Sequence, residues 1–373
     1  MNKANSRPIL SRRDFLKILG VAGITATGSY AFYEYAPWLN YDQAVEQIWS
    51  PLAMDPSMST QMLELVRYAT LAANGHNTQP WKFALKENAI EIHPDYNRRL
   101  PAVDPNDREL WISLGCALEN LLVAARAAGY APEVIYPDAA DFIHIRLITD
   151  TLQSSRLFEA IPLRQNTRSE YNGRLIRRDD LNQVLALPLE PGVVLRFARN
   201  PTDMETILEY VNQGNLSQYA DEVFVDELIY WLRFNKKESL ASLDGLYSRC
   251  SGNPEVPRWL GQMFVAGTKP KQQADADARK FRSSPTAVVI ASESDHKTAW
   301  VRTGQVYERM VLTMTSLNIK SAFLNQPIEM AILRSQFQSA MGLGESLPQL
   351  LVRFGYADPM PRSLRRPVEE VIM

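Results

Sequence analysis

Cysteine and histidine are scarce, with two of the first and four of the second in 373 residues. Cys116 and Cys250 form no spacing motif, and His76, His93, His144 and His296 show no metal-ligand spacing. The signatures of zinc knuckles, of dithiol redox pairs and of Cys-His or Ser-His-Asp catalysis are therefore missing. Cys116 sits inside an apolar helical pattern and reads as a small core residue. Net charge is also small: forty basic residues against forty-two acidic leave −2. Composition thus gives no ground for a nucleic-acid or other polyanion partner. What the chain does have is length, enough for a large core in two units or one large one.

The N-terminus stands apart. Ser11-Arg12-Arg13-Asp14-Phe15-Leu16-Lys17 matches the twin-arginine export pattern, and an uncharged, mildly hydrophobic stretch runs from Ile18 to Tyr33. At about sixteen residues that stretch is short of the roughly 20 of a comfortable membrane span. Residues 1–34 read as a signal rather than as fold. No clean Ala-x-Ala site follows, which leaves room for an uncleaved anchor. The expected location is periplasmic or at the outer face of the cytoplasmic membrane, with the twin-arginine machinery as export partner. That route carries folded proteins, as a cofactor loaded in the cytoplasm would require.

Tyr35–Ser59 is rich in aromatics, Pro and Met without clear period and reads as a connector packed on the body. The first unit spans residues 60–150. Met62, Leu65, Val66, Ala69 and Ala72–Ala73 give a helical stripe, with Gly75 placed to end it in a left-handed cap. Trp81–Leu85 and Ala89–His93 read as strands around a Glu-Asn turn. Asn97–Glu109 reads as a charged loop whose Asp104, Asp107 and Glu109 face solvent. Leu114, Leu118, Leu121, Leu122 and Ala125 form a second stripe, ended by Gly129, and Phe142–Ile148 is a strand. The second unit, 151–373, repeats this order: a helix carrying Tyr307, Met310, Val311, Met314 and Leu317, then strands Lys320–Leu324 and Leu350–Phe354. Residues 232–273 form a long irregular insertion of the lid or binding-loop kind, and their apolar run Trp259–Val265 argues for order. The similarity of the units fits two fused homologous halves.

Two polar stretches invite a ligand. Asn77, Thr78 and Gln79, ahead of Pro80-Trp81, offer amides and a hydroxyl to a planar, heteroatom-rich molecule, although such groups also satisfy their own backbone. Arg164, Asn166 and Arg168 alternate, so an extended chain points all three to one side. Two guanidiniums flanking an amide suit a phosphate, and equally a solvated basic turn.

His76-Asn77-Thr78-Gln79-Pro80-Trp81 resembles the Asn-x-Gln-Pro-Trp segment of the FMN-dependent nitroreductase family. More narrowly, the chain resembles the exported, single-chain, nitroreductase-like proteins of the Acg type. Arg164–Arg168 stands where that family carries Arg-x-Ser-x-Arg/Lys for the FMN phosphate and flavin edge, with Asn166 in place of Ser. Ser321–Pro327 resembles the segment whose backbone and amides, here Asn325 and Gln326, approach the ring. The tail Pro361–Ile372 resembles the basic segment that returns to the phosphate, through Arg365 or Arg366. The first unit has the Asn-x-Gln-Pro-Trp segment without the arginine pair; the second has the pair, Asn325-Gln326 and the tail. That complementarity implies one FMN site per chain across an intramolecular pseudo-dimer, hence a functional monomer.

The resemblance implies an α+β, nitroreductase-like fold duplicated in one chain, mainly antiparallel sheets flanked by long helices, with the Leu114 and Tyr307 helices near a pseudo-two-fold axis. The implied site is Asn77, Thr78, Gln79, Trp81, Arg164, Asn166, Arg168, Asn325, Gln326 and Arg365, with no metal. No catalytic side chain is needed, because the flavin carries the electrons. Three functions remain open: an oxidoreductase passing electrons to a nitroaromatic or quinone-like acceptor, a flavin-sequestering protein with 232–273 closed over the ring, and an exported binding protein without cofactor. NAD(P)H is not expected outside the cytoplasmic membrane, so an exported enzyme needs another donor.

Overall fold

In a computed structural model the described residues are 38–50, 58–137 and 140–373; the twin-arginine signal lies outside them. The supposed connector begins as a helix, α1 (Trp38–Trp49). It is fixed by aromatic anchors rather than a regular stripe: Tyr41 is buried against the Tyr247 ring (4.9 Å) and Trp49 beneath Arg362 and Arg365.

The first half follows as α2 (Met58–Thr70), β1 (Trp81–Lys86), β2 (Ala89–Pro94), α3 (Arg108–Ala127), β3 (Tyr130–Ile135) and β4 (Ile143–Thr149). Its strands form an antiparallel sheet in the order β1-β2-β4-β3. The second half holds α4 (Arg178–Leu185), β5 (Val193–Ala198), α5 (Pro201–Gln218), α6 (Glu222–Trp231), α7 (Lys236–Ser242), α8 (Arg258–Ala266), α9 (Pro270–Arg282), β6 (Thr286–Ser292), α10 (Lys297–Ser316), β7 (Lys320–Phe323), α11 (Gln326–Glu329), α12 (Ala331–Ala340) and β8 (Leu347–Gly355). Its antiparallel sheet runs β5-β6-β8-β7. Both sheets take the order first, second, fourth, third, with a 20-residue helix after the second strand. The fold is α+β, and its topology is duplicated within one chain.

The two long helices meet at the centre. Each carries the same spaced triplet, Trp111, Gly115, Glu119 on α3 and Trp300, Gly304, Glu308 on α10. A Cβ on Gly115 would lie 2.1 Å from the Val301 carbonyl oxygen, and one on Gly304 2.0 Å from that of Ile112. The helix backbones are therefore in contact, and only glycine fits at the crossing. Helix α3 reads apolar nearly all round because it packs on its own sheet and on α10.

Three sequence expectations change here. Strands β5 and β6 carry no alternation that would mark them; β6 is buried along its whole length, since α10 covers one face and Ile207, Leu208, Ala278 and Phe281 of α5 and α9 the other. The segment between β5 and β6 is therefore wider than 232–273 and largely helical. Asp104 and Glu109 are buried rather than solvated: Asp104 accepts the Leu110 N–H (2.9 Å) at the start of α3, and Glu109 pairs with Arg108 (2.9 Å). Burial, then the Glu109 carboxylate, pushes Asp104 up to about 7.

The C-terminal tail returns to the first half. Ile372 bridges Phe83 on β1, and the Met373 N–H donates to the Phe83 carbonyl (2.9 Å). This crossing carries Arg365 and Arg366 to the loop that precedes β1.

Candidate functional site

Helix α2 ends at Thr70, and the loop to β1 is strained. His76 (φ 47°), Asn77 (φ 54°) and Gln79 (φ 53°) are all left-handed, whereas Gly75, expected to supply that conformation, is not. Each such residue costs about 1–2 kcal/mol, so something must hold it. Asn77 Nδ2 donates to the carbonyls of Gly245 (3.0 Å) and Leu364 (3.2 Å). Gln79 Nε2 donates to the Leu243 carbonyl (2.9 Å), while Gln79 Oε1 accepts the Arg366 N–H (2.8 Å). The loop is thus clamped between the insertion and the tail.

Against it lies a cavity of about 60 Å³ that brings together Asn77, Arg164, Asn166, Arg168 and Arg365. Asn166 bridges Ser321 at the edge of β7, which fixes the extended course that points Arg164 and Arg168 inward. The remaining wall includes Trp49, Tyr247, Cys250, Arg362 and Ser363. Trp49, Tyr247 and Cys250 were not aimed at a site from the sequence, because α1 and the insertion have no period that would aim them; Arg362 and Ser363 belong to the tail already identified.

The cavity is electropositive. No carboxylate lines it among the described residues. Arg365 is buried and spends its donors on neutral acceptors: the Thr70 carbonyl (2.9 Å), Asn77 Oδ1 (2.6 Å) and Ser363 Oγ (2.8 Å). Burial, with Arg164 nearby, lowers it to about 9. Arg168 donates to Ser251 Oγ (3.3 Å), makes no ion pair with a described residue, and is lowered by burial. Arg164 lies 3.2 Å from Glu308, which is fully buried behind the cavity and pushed up to about 7 by burial. Arg164 Nε has no hydrogen bond to a described group. Desolvated guanidiniums facing a shared space call for an anion.

The central repeat shows why the arrangement is one-sided. Glu119, the counterpart of Glu308, holds Arg309 bidentately (2.7 and 2.8 Å), and Arg309 also reaches Glu190 (2.8 Å). On that side charge is closed internally. Matching the two Trp-x-x-x-Gly-x-x-x-Glu stretches would have found Glu308 from the sequence.

Five sequence-identified residues do not reach the cavity. Thr78 is buried with its carbonyl accepting from Arg98 (2.9 Å), and Trp81 is a core side chain. Gln79 braces the insertion and the tail. Asn325 Oδ1 accepts the Leu351 N–H (2.9 Å) and its Nδ2 donates to Glu109 (3.3 Å). Gln326 Nε2 donates to Asp277 (3.2 Å). The chain turns directly from β7 into α11 there, and these two amides tie the turn to β8, Glu109 and α9 instead of facing the cavity. Arg366 donates to the Gln79 carbonyl (2.7 Å), so of the adjacent pair Arg365-Arg366 it is Arg365 that faces the cavity, alongside Arg362. His76, half-buried in the strained loop, is held neutral by desolvation and then by the Arg168 charge, which lower it to about 4.

No protein-family model matches the chain. Two Mycobacterium tuberculosis proteins, both provisionally named NAD(P)H nitroreductases, are similar along most of it. Rv3131 is 27% identical over 82% of this chain and 88% of its own length, and acg is 24% identical over 85% and 97%. Among solved structures, a Bacteroides fragilis nitroreductase with bound FMN is 18% identical, covering 57% of this chain and 96% of its own (TM-score 0.35). The FMN-dependent nitroreductase NfnB of Mycobacterium smegmatis is 12% identical over 56% and 94% (TM-score 0.33). The chain is thus similar, along most of its length, to these two proteins named as nitroreductases.

Proposed function

We propose that the chain is an FMN-binding, nitroreductase-like oxidoreductase whose phosphate subsite is the arginine-lined cavity. One observation carries this reading: Arg164, Arg168 and Arg365 converge on one space with no lining carboxylate among the described residues. Arginine forks bind phosphate oxygens through strong charge-assisted bonds, and a dianion there balances Arg168 and Arg365, which have no carboxylate partner among the described residues. Asn166 supplies a neutral amide at the rim, while Asn77, its own amide spent on Gly245 and Leu364, positions Arg365. The flavin, when bound, supplies two-electron chemistry, and the side chains orient it and tune it by hydrogen bonding. Glu308 keeps Arg164 aimed at the cavity.

A second reading, sequestration of FMN, is favoured by the insertion. A volume of about 60 Å³, four to six times the roughly 10–15 Å³ that one water needs, suits a phosphate and not a tricyclic ring. With residues 243–250 seated on Asn77 and Gln79, loading a flavin requires that segment to lift. The signal-like residues 1–34 support export, and with it a donor other than NAD(P)H and a small acceptor. The absorption spectrum of the purified protein tests these readings. Flavin bands that bleach on anaerobic NADPH mean an accessible oxidoreductase. Bands that yield only to dithionite mean sequestration or another donor. No bands, and no uptake of added FMN, would refute the site.

A further inference from the structure

The segment that walls the cavity is apolar on its outer side. On α8, Trp259, Met263 and Phe264 are 63%, 62% and 57% exposed, and on the neighbouring α6 Val223 and Tyr230 are each 66% exposed. These are not core residues left uncovered by loose packing. The inner faces of the same helices are occupied, with Leu228, Leu260 and Val265 packed on Phe234 and Val256. Gly261 approaches Phe234 so closely that a Cβ there would lie 2.1 Å from its ring. Helix α8 is therefore fixed in rotation, with an aromatic side outward and Arg258 and Lys269 at its ends. Exposed apolar clusters of this kind mark contact surfaces. A Trp/Phe/Met face turned outward is what a helix lying in a membrane interface presents to lipid.

The chain outside the structure ends in the right place for that partner. Residues 34–37 alone join the uncharged stretch Ile18–Tyr33 to α1, and fully extended they reach about 14 Å. Helix α1 is seated on the same segment, Tyr41 on Tyr247 (4.9 Å) and Asp42 near Lys236 (3.9 Å). Helix α7, which carries Lys236, is joined to α8 through Glu238 and Arg258 (3.0 Å). A bilayer that holds residues 18–33 is thereby brought to this side of the protein.

We propose that the exposed face of α6 and α8 is a membrane-docking surface, with Trp259, Met263, Phe264 and Tyr230 seated among lipid headgroups. The proposal is independent of which ligand the cavity takes. Its test uses the full chain and vesicles of phosphatidylethanolamine and phosphatidylglycerol brominated near the headgroup, comparing wild type with Trp259→Tyr to isolate one of seven tryptophans. The substituted side chain is mostly solvent-exposed, so the variant folds. Vesicles are expected to quench the Trp259 component by about half or more and to slow peroxide oxidation of Met263 several-fold. Vesicle-bound protein with Trp259 unquenched and Met263 oxidised at the free rate would overturn the proposal, the chain then being held by residues 18–33 alone. Failure to bind vesicles would overturn it too. So would Met263 protection that grows with protein concentration without lipid, which would assign the face to a second copy.

Discussion

Gly304→Ala sets two physical effects against each other. In an ordinary helix the change is favourable by about 1 kcal/mol, because alanine is the better helix former. At this position the added Cβ lies 2.0 Å from the Ile112 carbonyl oxygen, 2.8 Å from the Cys116 nitrogen and 2.9 Å from the Gly115 Cα. All three are backbone atoms of α3, so no side chain can rotate away. The helices must separate by more than 1 Å at their crossing, which also stretches the Cys116 Sγ–H bond to the Gly304 carbonyl (3.4 Å). Overpacking costs about 1–3 kcal/mol when a core can yield, and more when it cannot. The net expectation is a loss of about 2 kcal/mol or more, read as a lower urea midpoint at unchanged slope. Gly115→Ala should cost a similar amount, and the double variant less than the sum, because both push the same contact apart. A Gly304→Ala midpoint at or above wild type would refute the helix contact and, with it, the central packing of the two halves.

Arg309→Met should cost about 3–5 kcal/mol by urea unfolding, because it leaves Glu119 buried and unpaired, and adding Glu119→Gln should recover most of the loss. Asp104 has a folded pKa of about 7 against an ordinary 3.8, so the fold favours its protonated form. That contribution is complete below about pH 4 and fades as pH rises through about 7. The midpoint of Asp104→Asn should therefore gain on wild type between about pH 4 and 7 and level off above that; a variant that loses ground over that range would contradict the assignment.

The parts of the fold legible in the sequence are those with a clear period or a turn. The β1–β2 hairpin and β4 sit within a residue of expectation, and the stripes from Leu114 and Tyr307 fall inside α3 and α10, although those helices begin earlier, at Arg108 and Lys297. Strand β6 was hidden because both its faces are buried, and β5 because its helical insertion separates it from β6. At the site, alternation placed Arg164, Asn166 and Arg168 on one side, as they are in the structure, but left a solvated turn equally open; only the resemblance pointed to a ligand there. Asn325 and Gln326 were expected beside them from the motif around them, but their amides are taken by Leu351, Glu109 and Asp277, which are remote in sequence. Gly75 was the natural left-handed residue, yet His76, Asn77 and Gln79 take that conformation because contacts with residues 243–245 and 364–366 hold them, and those partners are remote in sequence.

The central claim, that the arginine cavity holds a flavin phosphate, is tested most directly by the affinities of FMN and riboflavin for the same protein. Each hydrogen bond to a charged group contributes about 1.5–3 kcal/mol, and about 1.4 kcal/mol is tenfold. Wild type should therefore prefer FMN by about 100-fold or more, and Arg168→Ala should remove about 10- to 100-fold of that preference while leaving riboflavin affinity unchanged. Equal affinity for the two flavins, or a preference untouched by Arg168→Ala, would contradict the account.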